Sequence, residues 1–382
     1  MKASFVQKIV VLGTGGTIAG LSVGPQERGQ YRAGELSIER IWGQVNGVGL
    51  EPHFDVDVHQ VCQIDSKDMA HAHWHLLLAH LQTAMADPAV RGILITHGTD
   101  TLEETAFLLS WLLPHDKPVV LTGAMRAWDA PDSDGRQNLQ DAWAVLQRLI
   151  ARSMGGVRVV MAGEVHPAGS VQKMHAQSLH AFESEAPMPL SRLTQDPPTS
   201  PQSLGSGQFE APRSVEDVWP YVRPSLAQVL AHPQWPRVEV VMSHAGVEPA
   251  GVVLALVEQL ERERELGLGR EAAPATPRLA PLRGLVVSGT GSGTWAESLR
   301  EPLLSLMSLG VTVVLTSRVP WGHEGLSGHP LPGPKTPTLA SGLTTSAHSA
   351  HSPGGAQWSQ LSPVKARIAL ALHLLASQEA TA

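Results

Sequence analysis

Apolar positions along the chain fall into short runs that end in glycine or threonine, with segments of helical length between them. Lys8–Leu12 (KIVVL), Gly92–Thr96 (GILIT), Pro118–Leu121 (PVVL) and Val157–Met161 (VRVVM) are continuous and β-branched, as expected of strands covered on both faces. Helix-like segments lie between them at Met69–Met85, Leu102–Leu113 and Asn138–Arg152. This alternation predicts an α/β fold built on a parallel sheet. The texture changes after Thr194. Gln195–Glu216 is rich in Pro, Ser and Gly and has no period, so residues 195–234 are assigned to a linker between a first domain, 1–194, and a second, 235–382. The second domain repeats the pattern in smaller form. Strand-like Val238–Met242, Leu285–Ser288 and Val311–Thr316 alternate with helical Val252–Glu265 and Ala296–Leu309, and Pro363–Ser377 closes the chain as a helix. Two low-complexity stretches, Leu266–Arg283 and Gly322–Gly355, read as surface loops.

The chain has 382 residues, more than one core usually holds, which agrees with two domains. Hydrophobic residues make up 42% and charged residues 16%, a globular balance. A net charge of -7 supplies no basic field for nucleic acid or an anionic membrane, so a small soluble ligand is expected. The one cysteine, Cys62, cannot form an internal disulfide and reads as a buried small hydrophobe in a reducing compartment. Met1–Lys8 holds too few apolar residues for a leader core, and Leu303–Leu315 is interrupted by Ser305, Ser308 and Gly310. The expectation is a cytoplasmic protein.

The chemistry concentrates in two loops. Gly13–Gly20 reads GTGGTIAG at the end of a predicted strand, where a glycine turn exposes backbone N–H groups to negative charge. The dinucleotide fingerprint needs glycine at Ile18, and a P-loop needs lysine at Leu21, so neither nucleotide motif fits. What remains is a turn that displays Thr17. Thr96–Thr101 (THGTDT) follows the next strand and packs three threonines, a histidine and a carboxylate into one strand-end loop. Alone, this loop also reads as a cap for the helix at Leu102, assisted by Glu103 and Glu104. Val287–Thr294 (VSGTGSGT) echoes the first turn and leaves open a second centre, although glycine is the ordinary way to write a tight strand-to-helix turn. His71, His73, His75 and His80 crowd one segment, but no carboxylate stands between His71 and His75 in metalloprotease order, so no metal is expected.

GTGGTIAG, THGTDTLEETA, Gly123–Arg126 (GAMR), Ser317–Pro320 (SRVP) and the ending Leu361–Leu370 (LSPVKARIAL) together resemble the bacterial-type L-asparaginases, the asparaginase/glutaminase family. The resemblance runs through almost the whole chain in the same order. It implies a larger N-terminal flavodoxin-like domain, a smaller C-terminal α/β domain, no cofactor, and a homotetramer or homodimer. It also implies roles for individual residues. Thr17 matches the nucleophile, and Tyr31, in Gly29–Gly34 (GQYRAG), matches the tyrosine of the mobile flap. Thr99 and Asp100 match the second catalytic threonine and its acidic neighbour, and Lys173, in Gly169–His175 (GSVQKMH), the catalytic lysine. Ser66, in Ile64–Met69 (IDSKDM), matches the serine that holds the α-carboxylate, and Ala124 a residue whose carbonyl sits near the amide.

Amide hydrolysis needs a nucleophile, a base, an oxyanion site and a proton for the leaving ammonia. On this reading Lys173 acts as base through Thr99, Asp100 orients the cluster and meets the substrate ammonium, and backbone N–H groups near Gly16, Thr17 or Thr99 bind the oxyanion. Which threonine attacks first is left open. Two departures stand out. Many members carry glutamine where this chain has Lys67, which brings a cation beside the substrate and leaves glutamine or a larger amide as alternative substrates. In the second domain Ser292 stands where many members have asparagine, and Glu324 is a weak match for a glutamate that reaches a neighbouring subunit. A non-catalytic amino-acid-binding protein on the same fold is the rival reading, against which the complete set Thr17, Tyr31, Thr99, Asp100 and Lys173 argues.

Overall fold

The computed structural model describes residues 7–24, 30–45, 54–185, 187–190, 222–246, 250–265, 280–322 and 356–379. Contacts divide the chain into two units, Met1–Val215 with Ser225–Pro233, and Glu216–Pro224 with Gln234–Ala382.

In the first unit, Lys8–Gly15 (β1) is a central strand, buried along almost its whole length. It leads to a small antiparallel ribbon, Leu21–Ser22 (β2) with Tyr31–Arg32 (β3), and then to helix Ile38–Val45 (α1). Asp55–Ile64 (β4) pairs in parallel with one side of β1, and Val90–Thr96 (β5) with the other. Helix His71–Ala86 (α2) joins those two strands. Leu102–Leu112 (α3), Pro118–Thr122 (β6), Gly135–Ala151 (α4) and Gly156–Met161 (β7) complete the parallel series. Glu164–Pro167 (β8) turns back antiparallel. A hairpin of Gln172–Lys173 (β9) and Phe182–Glu183 (β10) follows, and Met188–Pro189 (β11) ends the sheet.

The seven-stranded order is β11-β8-β7-β6-β5-β1-β4. Its parallel strands, counted along the chain, run 2-1-3-4-5, the flavodoxin-like order expected from the resemblance. The order reverses between β1 and β5, which opens a crevice at their carboxyl ends. Thr17 follows β1 and the THGTDT loop follows β5, so both lie at that switch point. Ile9, Val11, Leu94, Val120 and Val160 meet α1 and α4 on one face. The alternate residues Val10, Leu12, Ile93 and Ile95 point the other way and are equally buried.

β4 was not expected from the sequence. Its DVDVHQVCQI alternates polar and apolar residues and contains no fully buried position, because an edge strand keeps one side open, unlike the continuous apolar runs of the central strands. The span assigned to the linker is also more ordered than its composition suggested. Leu226–Ala231 (α5) is a capped helix: Gln228 N–H donates to Ser225 Oγ at 3.2 Å, and Ser225 N–H donates to Gln228 Oε1 at 2.7 Å. It lies against α2, where His75 Nε2 meets the Leu230 carbonyl at 2.9 Å. The rest of the Pro/Ser/Gly stretch lies outside the described residues up to 221.

The second unit is a four-stranded sheet, Arg237–Met242 (β12), Leu282–Gly289 (β13), Thr312–Ser317 (β14) and Gln357–Trp358 (β15), parallel throughout. Helices Ala250–Glu265 (α6), Arg300–Ser308 (α7) and Pro363–Glu379 (α8) accompany it. Leu285, Val287, Val313 and Leu315 pack with Val253 of α6 and Leu303 of α7. Leu282 and Arg283, read as the end of a loop, belong to β13. Most of the other stretch read as a loop, including Glu324, lies outside the described residues.

Candidate active site

The site begins where β1 stops. Gly15 and Gly16 have φ of 98° and 80°, a backbone region that disfavours side chains, and Thr17–Ala19 then forms a 3-10 turn. A Cβ on Gly16 would lie 2.2 Å from Gly98 Cα, and one on Gly98 would lie 2.5 Å from Ser66 Oγ. Gly16 and Gly98 therefore meet backbone to backbone and the Ser66 side chain packs directly on Gly98, a close approach that only glycine permits. Thr14 Oγ1 adds a hydrogen bond to the Thr96 carbonyl at 3.0 Å. The N–H of Gly16 donates to Ile64 O at 2.7 Å, so this amide is committed to the sheet and is not available to an oxyanion. Gly16 contributes close approach instead.

Thr17 is buried, and its Oγ1 lies 2.8 Å from the Tyr31 hydroxyl across the β2–β3 ribbon. Tyr31 is itself partly exposed. At the loop after β5, Lys173 Nζ donates to Thr99 Oγ1 at 2.9 Å and to Asp100 Oδ1 at 2.6 Å. Thr99 is buried, while the Asp100 side chain is 53% exposed, open enough to accept a second cationic partner. Ser66 is buried in a 3-10 turn, where its Oγ accepts the Asp100 N–H at 3.2 Å and keeps its own proton free to donate.

Lys67 stands apart. It forms salt bridges with Asp68 and, at 3.7 Å, with Asp65, and the Asp68 contact holds its ammonium above the usual lysine range. The cation is thus matched within its own turn.

The loop after β6 presents Ala124, fully buried. Met125 N–H and Arg126 N–H donate to Asp134 Oδ1 at 3.0 Å each, and Asn138 Nδ2 donates to the Gly123 carbonyl at 3.1 Å and to Asp134 Oδ2 at 3.0 Å. The sequence reading missed Asp134 and Asn138. The available signal was an acidic residue at the start of a helical segment, the N-cap of α4, with a buried asparagine one turn on that requires partners.

The residues read as helix caps are engaged in the site instead. Thr101 makes no side-chain cap to α3; its Oγ1 donates to Ser66 O at 2.8 Å. His97 is fully buried, and that burial pushes its imidazole down to about 4. Its Nδ1 meets the Gly98 carbonyl at 2.7 Å, and a carbonyl only accepts, so Nδ1 carries the proton. Nε2 then accepts from Thr105 Oγ1 at 2.9 Å, and Trp74 Nε1–H donates to that same oxygen at 2.9 Å. The histidines of α2 serve separate partners: His73 Nδ1 accepts from Ala70 N–H, His75 meets Leu230, and His80 lies against His59.

The echo turn in the second unit is closed on itself. Thr290 Oγ1 and Thr294 Oγ1 are 2.9 Å apart, Thr294 N–H and Thr290 N–H bond across the turn, and Ser317 Oγ donates to Gly291 O at 2.6 Å. Its hydroxyls hold the turn together.

Residues 8–202 match the family profile described as Asparaginase, N-terminal. The chain belongs to the asparaginase family. It is 31% identical over 325 residues to a probable periplasmic L-asparaginase of Haemophilus influenzae, a match covering 84% of this chain and 80% of that protein. A glutaminase-asparaginase of Pseudomonas fluorescens biotype A is 39% identical over 178 residues, 46% of this chain and 48% of that protein, so this second match spans about half of the relative. Among solved structures, a probable cytoplasmic L-asparaginase from Campylobacter jejuni superposes with a TM-score of 0.65 at 25% identity, covering 96% of this chain and 95% of that one. Among the described residues no helix is long and apolar enough to cross a membrane.

Proposed function

We infer that the protein is an asparaginase-type amidohydrolase that converts L-asparagine and water to L-aspartate and ammonia through an ester on Thr17. The observation that carries this reading is a pair of hydrogen-bonded sets on two strand-end loops that meet at Gly16 and Gly98: the Thr17 hydroxyl with Tyr31 on one, and Thr99, Asp100 and Lys173 on the other. In the first half-reaction Thr17 Oγ attacks the side-chain amide carbon. The C–N bond breaks, the nucleophile's proton leaves with ammonia, and the acyl group stays on Thr17. Water then attacks the ester, releases aspartate and returns a proton to Thr17.

Supporting roles follow from position. Tyr31 holds the Thr17 hydroxyl and covers it. For Lys173 to act as base, it accepts the Thr99 proton along the 2.9 Å contact, the reverse of the donation seen at rest. The N–H groups of Thr17 and Thr99 are the candidate oxyanion donors, since that of Gly16 is committed to Ile64, and each such donor contributes about 3 kcal/mol to the transition state. Asp100 meets the α-ammonium and Ser66 the α-carboxylate, while Asp134 and Asn138 fix the loop that offers the Ala124 carbonyl to the amide. No cofactor or metal enters this scheme.

Glutamine is the second reading, favoured by the likeness to a glutaminase-asparaginase over 178 residues. We place the enzyme in the cytoplasm as a homo-oligomer, a reading supported by the composition and by the resemblance. Ammonia release measured separately on asparagine and glutamine tests the function. Release from asparagine with the higher kcat/KM is expected; binding of aspartate without release from either amide would leave only a binding protein.

A further inference from the structure

Glu103 sits in the first turn of α3, where a glutamate ordinarily reaches back toward the helix cap. Here its Oε2 accepts the backbone N–H of Lys173 at 2.5 Å, from a residue 70 positions away. Lys173 is thereby gripped at both ends by one short stretch of chain. Its main-chain N–H is held by Glu103, and its Nζ by Thr99 and Asp100. Otherwise that backbone is held within a short hairpin: β9 is two residues long and pairs with the equally short β10, Met174 N–H donates to Ala181 O at 2.7 Å, and the far side is tied by Arg126 Nη1 donating to Gln177 O at 3.0 Å. A lysine side chain has four rotatable methylene links, so a displaced Cα would let Nζ miss the space between Thr99 and Asp100.

We propose that Glu103 is a positioning residue for the hydrolytic reaction. By accepting the Lys173 N–H it fixes the anchor from which Nζ reaches the Thr99 hydroxyl, and it acts on substrate only through that lysine. This rests on the reading of Lys173 as the base. The role needs an acceptor oxygen at the end of a glutamate-length side chain and does not need the charge, which separates it from a plain helix-dipole contribution.

The test compares Glu103→Ala, Glu103→Gln and Glu103→Asp in the full-length protein, by steady-state kinetics on asparagine and by amide hydrogen exchange at Lys173. Glu103→Ala is expected to lower kcat by about tenfold or more with KM within about twofold, since small misplacements of a reacting group are costly. Glu103→Gln keeps the acceptor and should hold kcat within about threefold. Glu103→Asp keeps the charge but falls one methylene short, and should follow alanine. Exchange at the Lys173 amide should quicken in the alanine and aspartate variants and stay slow in glutamine. An unchanged kcat in Glu103→Ala, a fall in Glu103→Gln as deep as in alanine, or unchanged Lys173 protection in Glu103→Ala overturns the proposal. If the alanine variant does not fold, the glutamine and aspartate pair decides by itself. A wild-type protein that releases no ammonia ends the functional reading, while the exchange data still judge the Glu103 contact.

Discussion

The molecule writes nearly the same sentence twice. LGTGGT ends β1 and VSGTGSGT ends β13, each a buried parallel strand followed by glycines and a hydroxyl residue. The difference lies in what the hydroxyls touch. In the second unit Thr290 and Thr294 bond to each other, and Ser243 and Ser317 close around them, Ser243 Oγ taking the Ala296 N–H. In the first, the Thr17 hydroxyl meets the Tyr31 phenol as its one hydrogen-bond partner among the described residues, and the neighbouring loops bring a lysine, a carboxylate and a serine to the same rim. A glycine turn supplies geometry. Chemistry requires that the turn leave its hydroxyl uncommitted and that the adjacent strands end in complementary groups.

Removing the two hydroxyls in turn breaks this comparison most directly. Thr17→Ala should reduce kcat by about a thousandfold or more while the protein keeps its fold. Thr290→Ala should leave kcat unchanged and cost about 1 kcal/mol of stability, as expected for losing a side-chain bond within a turn. Ammonia-release kinetics and denaturant titration separate the outcomes. Residual turnover in Thr17→Ala near the wild-type level would move the nucleophile to Thr99.

Acid sharpens the contrast next, because the loop beside the first turn holds a buried imidazole, bonded to Gly98 O and Thr105, while the second turn is closed by hydroxyls. His97 falls from an ordinary value of 6.5 to about 4 by burial, so the native state holds it neutral while the unfolded chain protonates it near 6.5. The unfolded state thus binds the extra proton, and stability is lost as the pH falls from about 6.5 toward 4, by up to about 3 kcal/mol. His166, also lowered to about 4 by burial and set 3.0 Å from Ser184 Oγ, adds a loss of the same sign. Melting temperatures between pH 7 and 4, for wild type and His97→Gln, measure the first contribution. A variant with the same acid slope as wild type would remove His97 from the account.

Tyr31→Phe asks how much of the difference between the turns comes from the partner of Thr17. Loss of one hydroxyl contact to the nucleophile should lower kcat by about ten- to a hundredfold and change KM little. If KM rises while kcat holds, Tyr31 grips substrate and not the nucleophile.

Much of this was legible before any coordinates. The β1, β5, β6 and β7 runs stood out because strands covered on both faces must be apolar throughout, and the glycine motifs marked their carboxyl ends. β4 was hidden by its half-open side. The site's outer supports were harder still. Glu103 and Thr101 looked like helix caps because local spacing is all a sequence displays, yet their partners, Lys173 and Ser66, are set by sheet order. The partners of Asp134 and Asn138 were hidden for the same reason, since a backbone acceptor such as Gly123 O leaves no trace in side-chain composition.

The smallest expected effect concerns Lys67, where the sequence raised a concern and the geometry answers it. A cation beside the substrate would repel an α-ammonium, but this one already faces Asp65 and Asp68 on its own turn, with its side chain 60% exposed. Solvent screening and two adjacent carboxylates leave little net field at the Ser66 hydroxyl. Lys67→Gln should therefore change KM for asparagine and for glutamine by no more than about threefold, at low and at moderate salt alike. A tenfold rise in KM, growing as salt is lowered, would mean that the ammonium leaves Asp68 and swings to the substrate carboxylate. The first turn would then draw its binding charge from a side chain that rests outside the site.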